Sequence, residues 1–294
     1  MSLNSQATKP VFTQCDVRWY VPPAEPKPRE TKMSVVTFIG RSFWEPVRLV
    51  GDCTMFGLRS LFTMVTRPPR ARHIWPVLHL VSVQSLPVVM VAGVFIGMVI
   101  AVQTYDQLAV MHMENQLGAV INVSLVKELG PVFASLMIAG RVGTAMAAEI
   151  GTMRVTEQID ALTVLGADPN RTLVGPRLLA CILLLPCLTV CANAVGMLSG
   201  WFVSVHLLGV DSFFYWLYTK RVLTGWEIFS GLFKTPFFGV TIATVVCHRG
   251  FHAGAGAEGV GRAATEAFVI SFLAILAVDF LLGTLLMKVY YLIW

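Results

Sequence analysis

The 294-residue sequence has little charge: 13% of its residues are Asp, Glu, Lys or Arg, whereas 55% are apolar. Soluble domains carry about 25% charged residues, so a soluble globular protein is excluded. The sequence also lacks a Walker A loop and an HExxH motif, so we expect neither that type of nucleotide site nor a zinc-protease site. The first 30 residues contain no apolar core, and we expect no cleavable signal peptide.

The cysteines and histidines of the sequence form no recognisable disulfide or metal-binding pattern. The six Cys residues form no disulfide framework, and most lie in apolar stretches, which predicts buried thiols. Cys187 and Cys191 share a helix face, but no His or acid joins them at metal-ligand spacing. His248 and His252 are four residues apart and lack the Glu of a zinc motif. We therefore predict no metal site, no catalytic residues and no cofactor in this chain.

Long apolar stretches dominate instead. A membrane-spanning helix needs about 20 predominantly apolar residues, and five stretches qualify: 75–104, 117–148, 173–207, 228–247 and 265–294. These stretches predict an all-α integral membrane protein with about five transmembrane helices. Pro186 lies inside the third stretch, which leaves open a re-entrant pair at that place.

Two further segments precede the spans. Residues 1–34 contain five Pro interleaved with Lys and Arg, which predicts a disordered cytoplasmic tail. Residues 35–72 alternate apolar and charged residues, so this segment is amphipathic and too charged to span. We predict an interfacial amphipathic helix there, with a soluble helix packed on a partner as the alternative. The transmembrane domain would then occupy 73–294.

Basic residues are unevenly distributed. Half of the 22 Lys and Arg lie before residue 75, and those between spans concentrate in 149–177 and 248–264. The 105–116 connection has none, whereas 208–227 has Lys220 and Arg221 as an exception. The positive-inside rule therefore predicts a cytoplasmic N-terminus and a C-terminus on the outer side. Because the basic excess follows the membrane topology, we predict no nucleic-acid partner.

Small residues recur at helix-packing spacing. Gly93 and Gly97 form a GxxxG pair in the first stretch, and Gly196 and Gly200 form another in the third. Such pairs let helix backbones approach closely in lipid. They are explained equally by packing within the chain and by packing between two copies.

We single out four charged residues inside the second and fifth stretches: Lys127, Glu128, Arg141 and Asp279. A charge at mid-bilayer depth costs about 2.5–3.5 kcal/mol on insertion scales, which favours a functional interpretation. In a straight helix, Lys127 and Arg141 would lie near one face about 21 Å apart, with Glu128 turned roughly 100° away. Two such cations would suit an anionic headgroup. Alternatively, each pairs with an acid of another span, Asp279 being a candidate.

The segment 152–170 is also amphipathic. It has an apolar face and a separate charged side, and it ends at Gly166 and Pro169, which predicts a short helix. The residues of the two sides are Val155, Ile159 and Leu162, and Arg154, Glu157 and Asp160. Such a helix can insert its apolar face into a groove of a soluble partner, or rest on lipid headgroups.

Three long strings resemble the MlaE/YrbE permease family. They are AGVFIGMVIAVQTY in the first stretch, LVKELGPVFASLMIAGRVGTAMAAEIGTMRVTEQIDAL through the second, and AEGVGRAATEAFVISFLAILAVDFLLGTLL at the end. The resemblance runs in order from about residue 40 to the C-terminus. This family comprises the membrane subunits of ABC transporters that act on lipids together with MCE-domain proteins.

The resemblance implies a multi-pass homodimer in a bacterial inner membrane, acting as the permease subunit of an ATP-driven phospholipid transporter between the inner and outer membranes. The chain would be a transport subunit and not an enzyme. A cytoplasmic ABC ATPase would bind ATP and Mg²⁺ and would contact a coupling helix at about 152–165. A periplasmic MCE-domain protein would lie on the other side.

The resemblance also implies site residues. Those expected to bind lipid between the two copies are Ile100, Gln103, Leu108, Met111, Lys127 and Glu128. Those expected to couple to the ATPase are Glu149, Arg154, Glu157, Gln158, Asp160 and Leu162. Two alternatives remain beside this interpretation. One is an ATP-independent channel or proton-coupled carrier that uses Glu128 and Asp279, and the other is a membrane scaffold for an MCE ring.

Overall fold

The computed structural model describes residues 35–66 and 71–293, and every regular element in these two ranges is helical. The all-α prediction is therefore confirmed, whereas the predicted tail 1–34 lies outside the described residues. The α-helices are α1 Val35–Thr66, α2 Ala71–Val110, α3 Leu117–Ser124, α4 Gly130–Ile138, α5 Thr144–Val155, α6 Gln158–Val164, α7 Gly175–His206, α8 Ser212–Val222, α9 Gly225–Phe251 and α10 Gly256–Ile293. Residues from Val47 onward form one compact unit.

Five helical runs are long and apolar enough to cross a membrane. They are Val77–Val110, Glu114–Val155, Asn170–His206, Gly225–Phe251 and Gly256–Leu292. Each contains most of one predicted stretch, so the predicted count of five is confirmed for the described part of the chain. The third run is continuous through Pro186, so no re-entrant pair forms. A membrane helix tolerates an internal Pro because neighbouring groups satisfy the freed backbone carbonyl.

The second run is not a regular helix. It contains a first π-turn at Leu125–Leu129 and a second π-turn at Ala139–Gly143, on either side of α4. A third π-turn, Asn170–Val174, leads into α7. A π-turn closes a wider ring than an α-turn and changes the direction of the side chains that follow it. The straight-helix spacing predicted for Lys127 and Arg141 is therefore wrong.

The GxxxG pairs pack within the chain. An added Cβ on Gly97 would overlap the carbonyl oxygen of Gly196, and one on Gly93 would overlap the backbone of Ala192. The close approach also brings Ser199 of α7 to α2, where its Oγ donates a hydrogen bond to the Val94 carbonyl oxygen at 2.9 Å. The close contact of α2 with α7 therefore accounts for these glycines within one copy of the chain.

The main core lies between α2, α4, α5, α7, α9 and α10. Its fully buried side chains include Ile138, Met146, Leu178, Leu185, Phe238 and Ile242. Between spans, van der Waals contact supplies the packing energy, because lipid tails are as apolar as these side chains. This core includes Ala139 and Val142 of the second π-turn.

From Val47 onward, α1 packs on α9 through its small residues. Gly57 lies against Thr244, and the Cys53 Sγ is 3.4 Å from the His248 Nδ1. Burial raises the pKa of the Cys53 thiol, so the thiol stays protonated. The opposite side of the helix exposes large apolar residues, among them Met55 and Phe62. A helix is present at Val35–Thr66, and its interfacial position stays a prediction.

We expect Gly97→Val to destabilise the protein by about 1–3 kcal/mol, because the added atoms have no space against the Gly196 carbonyl. Thermal unfolding of the purified protein in detergent measures this change. Gly261→Ala is the matched control, since a Cβ there meets no neighbouring atom. Equal unfolding temperatures for Gly97→Val and the control would contradict the packing described for α2 and α7.

Candidate functional site

A lysine in the fourth span is almost completely buried. The Lys234 side chain on α9 is 1% exposed, and its Nζ donates to the Glu128 Oε2 at 2.5 Å and to the Asp279 Oδ1 at 3.0 Å. These carboxylates come from the first π-turn and from α10. An ammonium group without water needs anionic partners, since its isolated burial costs several kcal/mol. Lys234 therefore connects the second, fourth and fifth spans.

A second ion pair lies next to this lysine. Lys127, the residue before Glu128, places its Nζ 3.2 Å from the Glu227 Oε2 on α9. We call Lys127, Glu128, Glu227, Lys234 and Asp279 the charge cluster. It contains two cations and three acids, so the fully ionised cluster carries one net negative charge. Its open side is formed by Lys127 and Glu128, whose side chains are 41% and 43% exposed.

The structure decides the partners that the sequence left open. Lys127 does pair with an acid of another span, but that acid is Glu227 and not Asp279. Asp279 pairs with Lys234. Arg141 lies exposed in the second π-turn, outside the charge cluster. The predicted intramembrane charges are therefore divided, and only three of the four belong to one group.

Sequence reasoning missed Lys234 and Glu227. Lys234 lies inside the fourth apolar stretch, so the search for intramembrane charges that found Lys127 and Asp279 could also have found it. Glu227 precedes that stretch by one residue and belongs to the first turn of α9. It gives no sequence signal of its own, because an acid in the first turn of a helix is common.

Close backbone contact holds the cluster together. An added Cβ on Gly231 would overlap the Val126 carbonyl oxygen, so α9 touches the backbone of the first π-turn. An added Cβ on Gly283 would come within 3.4 Å of the Lys234 Nζ. Glycine at position 231 lets α9 approach the first π-turn closely, whereas a Cβ at position 283 would make only ordinary contact with the ammonium group.

The remaining residues expected to bind lipid lie elsewhere. Ile100 and Leu108 pack on a smaller core formed by α2, α3, α7 and α8, in which Leu117, Ile121 and Tyr215 are buried. Gln103 and Met111 are exposed. The structure therefore places only Lys127 and Glu128 of that set in the charge cluster, and divides the others between a core and the surface.

Polar side chains fasten α8 to the start of the second span. The Asn122 Nδ2 donates to the Thr219 Oγ1 at 3.0 Å, and the Tyr215 hydroxyl donates to the Asn122 Oδ1 at 3.4 Å. Burial raises the pKa of Tyr215 to about 12, so the hydroxyl keeps its proton. The end of the bundle formed by α8 and the turn after α2 is the α8 end.

At the other end, named the α6 end, the predicted coupling segment is divided. α5 ends at Val155 and α6 begins at Gln158, with Glu157 between them in a left-handed conformation (φ 59). Arg154 therefore pairs with Asp160 across this corner, at 2.7 Å. The predicted end of the helix is correct, because Gly166 has φ +74 and the Ala167 N–H donates to the Leu162 carbonyl.

Several residues expected to couple to an ATPase instead hold the α6 end together. Glu149 binds the nearly buried Arg177 at 2.7 Å, and Arg177 also donates to the Leu173 carbonyl. Ile159 is buried with Ile150 and Val174, and Leu162 packs on the same group. The predicted docking face of Ile159 and Leu162 is thus turned towards the chain's own core.

Other residues of the α6 end are open to a partner. Glu157, Gln158 and Asp160 are exposed, as expected. Val164 and Leu165, which the sequence analysis did not single out, are 88% and 81% exposed. Two adjacent apolar side chains at the tip of a short helix are the apolar contact that this surface offers.

Residues 35–66 and 71–293 contain no group of three or more His, Cys, Asp or Glu that could hold a metal ion. The His248 and His252 rings lie 4.4 Å apart between centroids, and the His252 Nδ1 contacts the His248 carbonyl at 2.8 Å. These histidines are explained by packing at the junction of α1 and α9.

The fold and the charge cluster define a multi-pass helical membrane protein whose spans are joined through buried ion pairs. The family model described as permease MlaE matches residues 74–285. The chain therefore belongs to the MlaE permease family, whose members are transport subunits.

Individual relatives agree with this membership. A probable ABC transporter permease protein of Rickettsia typhi is 37% identical over 257 residues, which cover 87% of this chain and 99% of that protein. The intermembrane phospholipid transport system permease protein MlaE of Haemophilus influenzae is 35% identical over 231 residues, 77% of this chain and 88% of that protein. The chloroplastic protein trigalactosyldiacylglycerol 1 of Arabidopsis thaliana is 37% identical over 201 residues, which cover 68% of this chain and 57% of that protein.

We expect Lys234→Met to destabilise the protein by about 3–5 kcal/mol, because it leaves Glu128 and Asp279 without their common cation. Adding Glu128→Gln and Asp279→Asn should restore most of the loss, since the uncompensated charges disappear. Denaturant unfolding in detergent measures both changes. Lys220→Met, on the exposed side of α8, is the control, and a Lys234→Met protein as stable as this control would refute the role of Lys234.

Proposed function

We propose that this chain is the permease subunit of an ATP-driven phospholipid transporter in a bacterial inner membrane. Membership of the MlaE permease family and the name of the Haemophilus influenzae relative support this proposal. The observation that carries it is the contrast between two lysines of the charge cluster. Lys234 is buried between two acids, whereas Lys127 has one acid partner and an open side.

Lys127 is suited to contact a lipid phosphate. Its ammonium group is held in place by Glu227, and its 41% exposure leaves room for a second anion. A lysine binds phosphate as a compact point charge that can change partners, unlike the bidentate fork of an arginine. The acyl chains would lie on apolar surface, where each buried methylene contributes about 0.8 kcal/mol.

The ion pairs also weigh against a proton-coupled carrier. Glu128 and Asp279 are the acids that such a carrier would use as relay groups. Both contact the same buried ammonium group and so serve as its structural counter-ions. A transporter driven by a separate ATPase needs no further role for them.

We further propose that two copies form the transporter and hold the lipid between them. The outward side of α10 near the cluster is apolar and exposed, with Phe280, Leu281 and Leu285 on it. In a dimer formed on this side, the open side of the charge cluster would face the second copy. Glu128 at 43% exposure would then lie beside the lipid and beside the subunit interface.

The α6 end would bind a cytoplasmic ABC ATPase, which would hold ATP and Mg²⁺. Val164 and Leu165 would enter an apolar groove of that partner, with Glu157, Gln158 and Asp160 around them. The N-terminus would then be cytoplasmic and the C-terminus periplasmic. The α8 end would face a periplasmic MCE-domain protein that exchanges lipid with the outer membrane.

We expect Lys127→Glu to lower ATP-dependent phospholipid transfer at least about tenfold, since a second anion replaces the phosphate-binding cation. Lys127→Arg should retain most of the transfer because the charge is kept. Transfer of a fluorescent phospholipid from proteoliposomes containing the full complex measures the rate. Lys220→Glu is the control for a change of surface charge, and wild-type transfer by Lys127→Glu would argue against a phosphate site at this lysine.

We expect the double variant Val164→Asp/Leu165→Asp to abolish co-purification of the ATPase, because it places two charges in the apolar contact. Insertion and dimer formation should stay unchanged, since both side chains are exposed. Val110→Asp is the matched control: Val110 is similarly exposed, at 83%, but lies at the α8 end. Unchanged recovery of the ATPase with the double variant would place the docking surface elsewhere.

A further inference from the structure

A buried amide oxygen on α7 is not explained by the core or by the charge cluster. Asn193 is 9% exposed, and across the described residues its Oδ1 has no hydrogen-bond partner. Almost all buried polar atoms in native proteins are hydrogen-bonded, so an unpaired buried acceptor needs a specific reason. A leucine would fill the same space without this cost.

The position of this oxygen suggests the reason. It lies against Gly130, where an added Cβ would overlap it. Gly130 ends the first π-turn, and its N–H donates to the Leu125 carbonyl oxygen, five residues earlier. The unpaired acceptor therefore lies beside the residue whose N–H closes the turn that carries Lys127 and Glu128.

The first π-turn has one hydrogen bond fewer than a regular helix can form. Pro131 follows Gly130 and has no N–H, so one carbonyl of the turn lacks its helical donor in any register. The Val126 carbonyl instead lies over Gly231 of α9. Release of the Gly130 N–H from Leu125 would allow residues 125–129 to shift by one residue, which is about 100° of rotation.

We propose that the first π-turn has a second, released state, in which the Gly130 N–H donates to the Asn193 Oδ1 and no longer to the Leu125 oxygen. In that state Lys127 and Glu128 turn away from Glu227 and Lys234, and the ion pairs of the second span open. Asn193 is then a positioning residue, since it contacts the turn and not the lipid. This inference deepens the proposed transport function and rests on it for the driving force, which is ATP binding by the partner.

The test uses the full complex with its ATPase and compares Asn193→Leu with wild type. Leucine matches the shape of asparagine but has no acceptor. We expect the thermal stability of Asn193→Leu to equal or exceed that of wild type, because an unpaired buried oxygen is removed. We expect ATP-dependent transfer of fluorescent phospholipid to fall at least about tenfold. A merely structural asparagine would not show this combination.

A second readout does not depend on the cargo. Hydrogen–deuterium exchange of the peptide covering 125–131 reports opening of the turn through its other N–H groups, which change partners as the turn shifts, while the Gly130 N–H is bonded to Asn193. This exchange should rise on addition of ATP in wild type and stay low in Asn193→Leu. Thr189→Val is the matched control, since Thr189 lies one turn earlier on α7 and its hydroxyl is bonded to the Leu185 carbonyl at 2.9 Å. It should behave as wild type, and Asn193→Ala replaces Asn193→Leu if the latter does not fold.

The outcomes separate the two proposals. An ATP-dependent rise in exchange that Asn193→Leu abolishes supports the released state, whatever the cargo is. An equal rise in both proteins, or no rise in wild type, overturns it. If the exchange behaves as expected but wild type transfers no phospholipid, the released state stands and the proposed cargo is wrong.

Discussion

The ammonium group of Lys234 is the contact on which the arrangement of three spans depends. In a membrane interior no water competes for this group, so its position is determined by the two carboxylates that surround it. One carboxylate belongs to the second span and the other to the fifth. The fourth span is therefore fixed between them, and Gly231, which allows α9 to approach the first π-turn, follows from the same requirement.

The first π-turn gives this arrangement its open side. Because the turn carries consecutive residues of opposite charge, it supplies Glu128 to Lys234 and Lys127 to Glu227. One of these pairs includes a buried ammonium group and the other a partly exposed one. This difference in exposure is the basis for assigning one pair to the stability of the bundle and for proposing the other as the contact of an anionic ligand. The unpaired acceptor on α7 next to the same turn is the observation from which the released state is proposed.

The α6 end is arranged differently. Its ion pairs lie at the surface and fix the local structure, and two apolar side chains beside them are exposed. Glu149 with Arg177, and Arg154 with Asp160, fix the corner between α5 and α6. Ile159 is buried beneath that corner. The exposed apolar pair, Val164 and Leu165, lies next to this corner, where the proposed contact with the ATPase would form.

The sequence by itself determined that this is an all-α membrane protein with five spans. The low charge and the lengths of the apolar stretches can both be read from the sequence without the fold. The small-residue pairs, the end of α6 at Gly166 and three members of the charge cluster were also found from the sequence. The ion pairs were decided by the tertiary structure, since Lys234 is 106 residues from Glu128 and 45 from Asp279. A lone lysine near the end of an apolar stretch can extend to the membrane surface or be buried, and the sequence does not distinguish the two. The π-turns could not be predicted from a 3.6-residue period either, since they pack against residues distant in the sequence, as Gly140 does against Phe268 of α10.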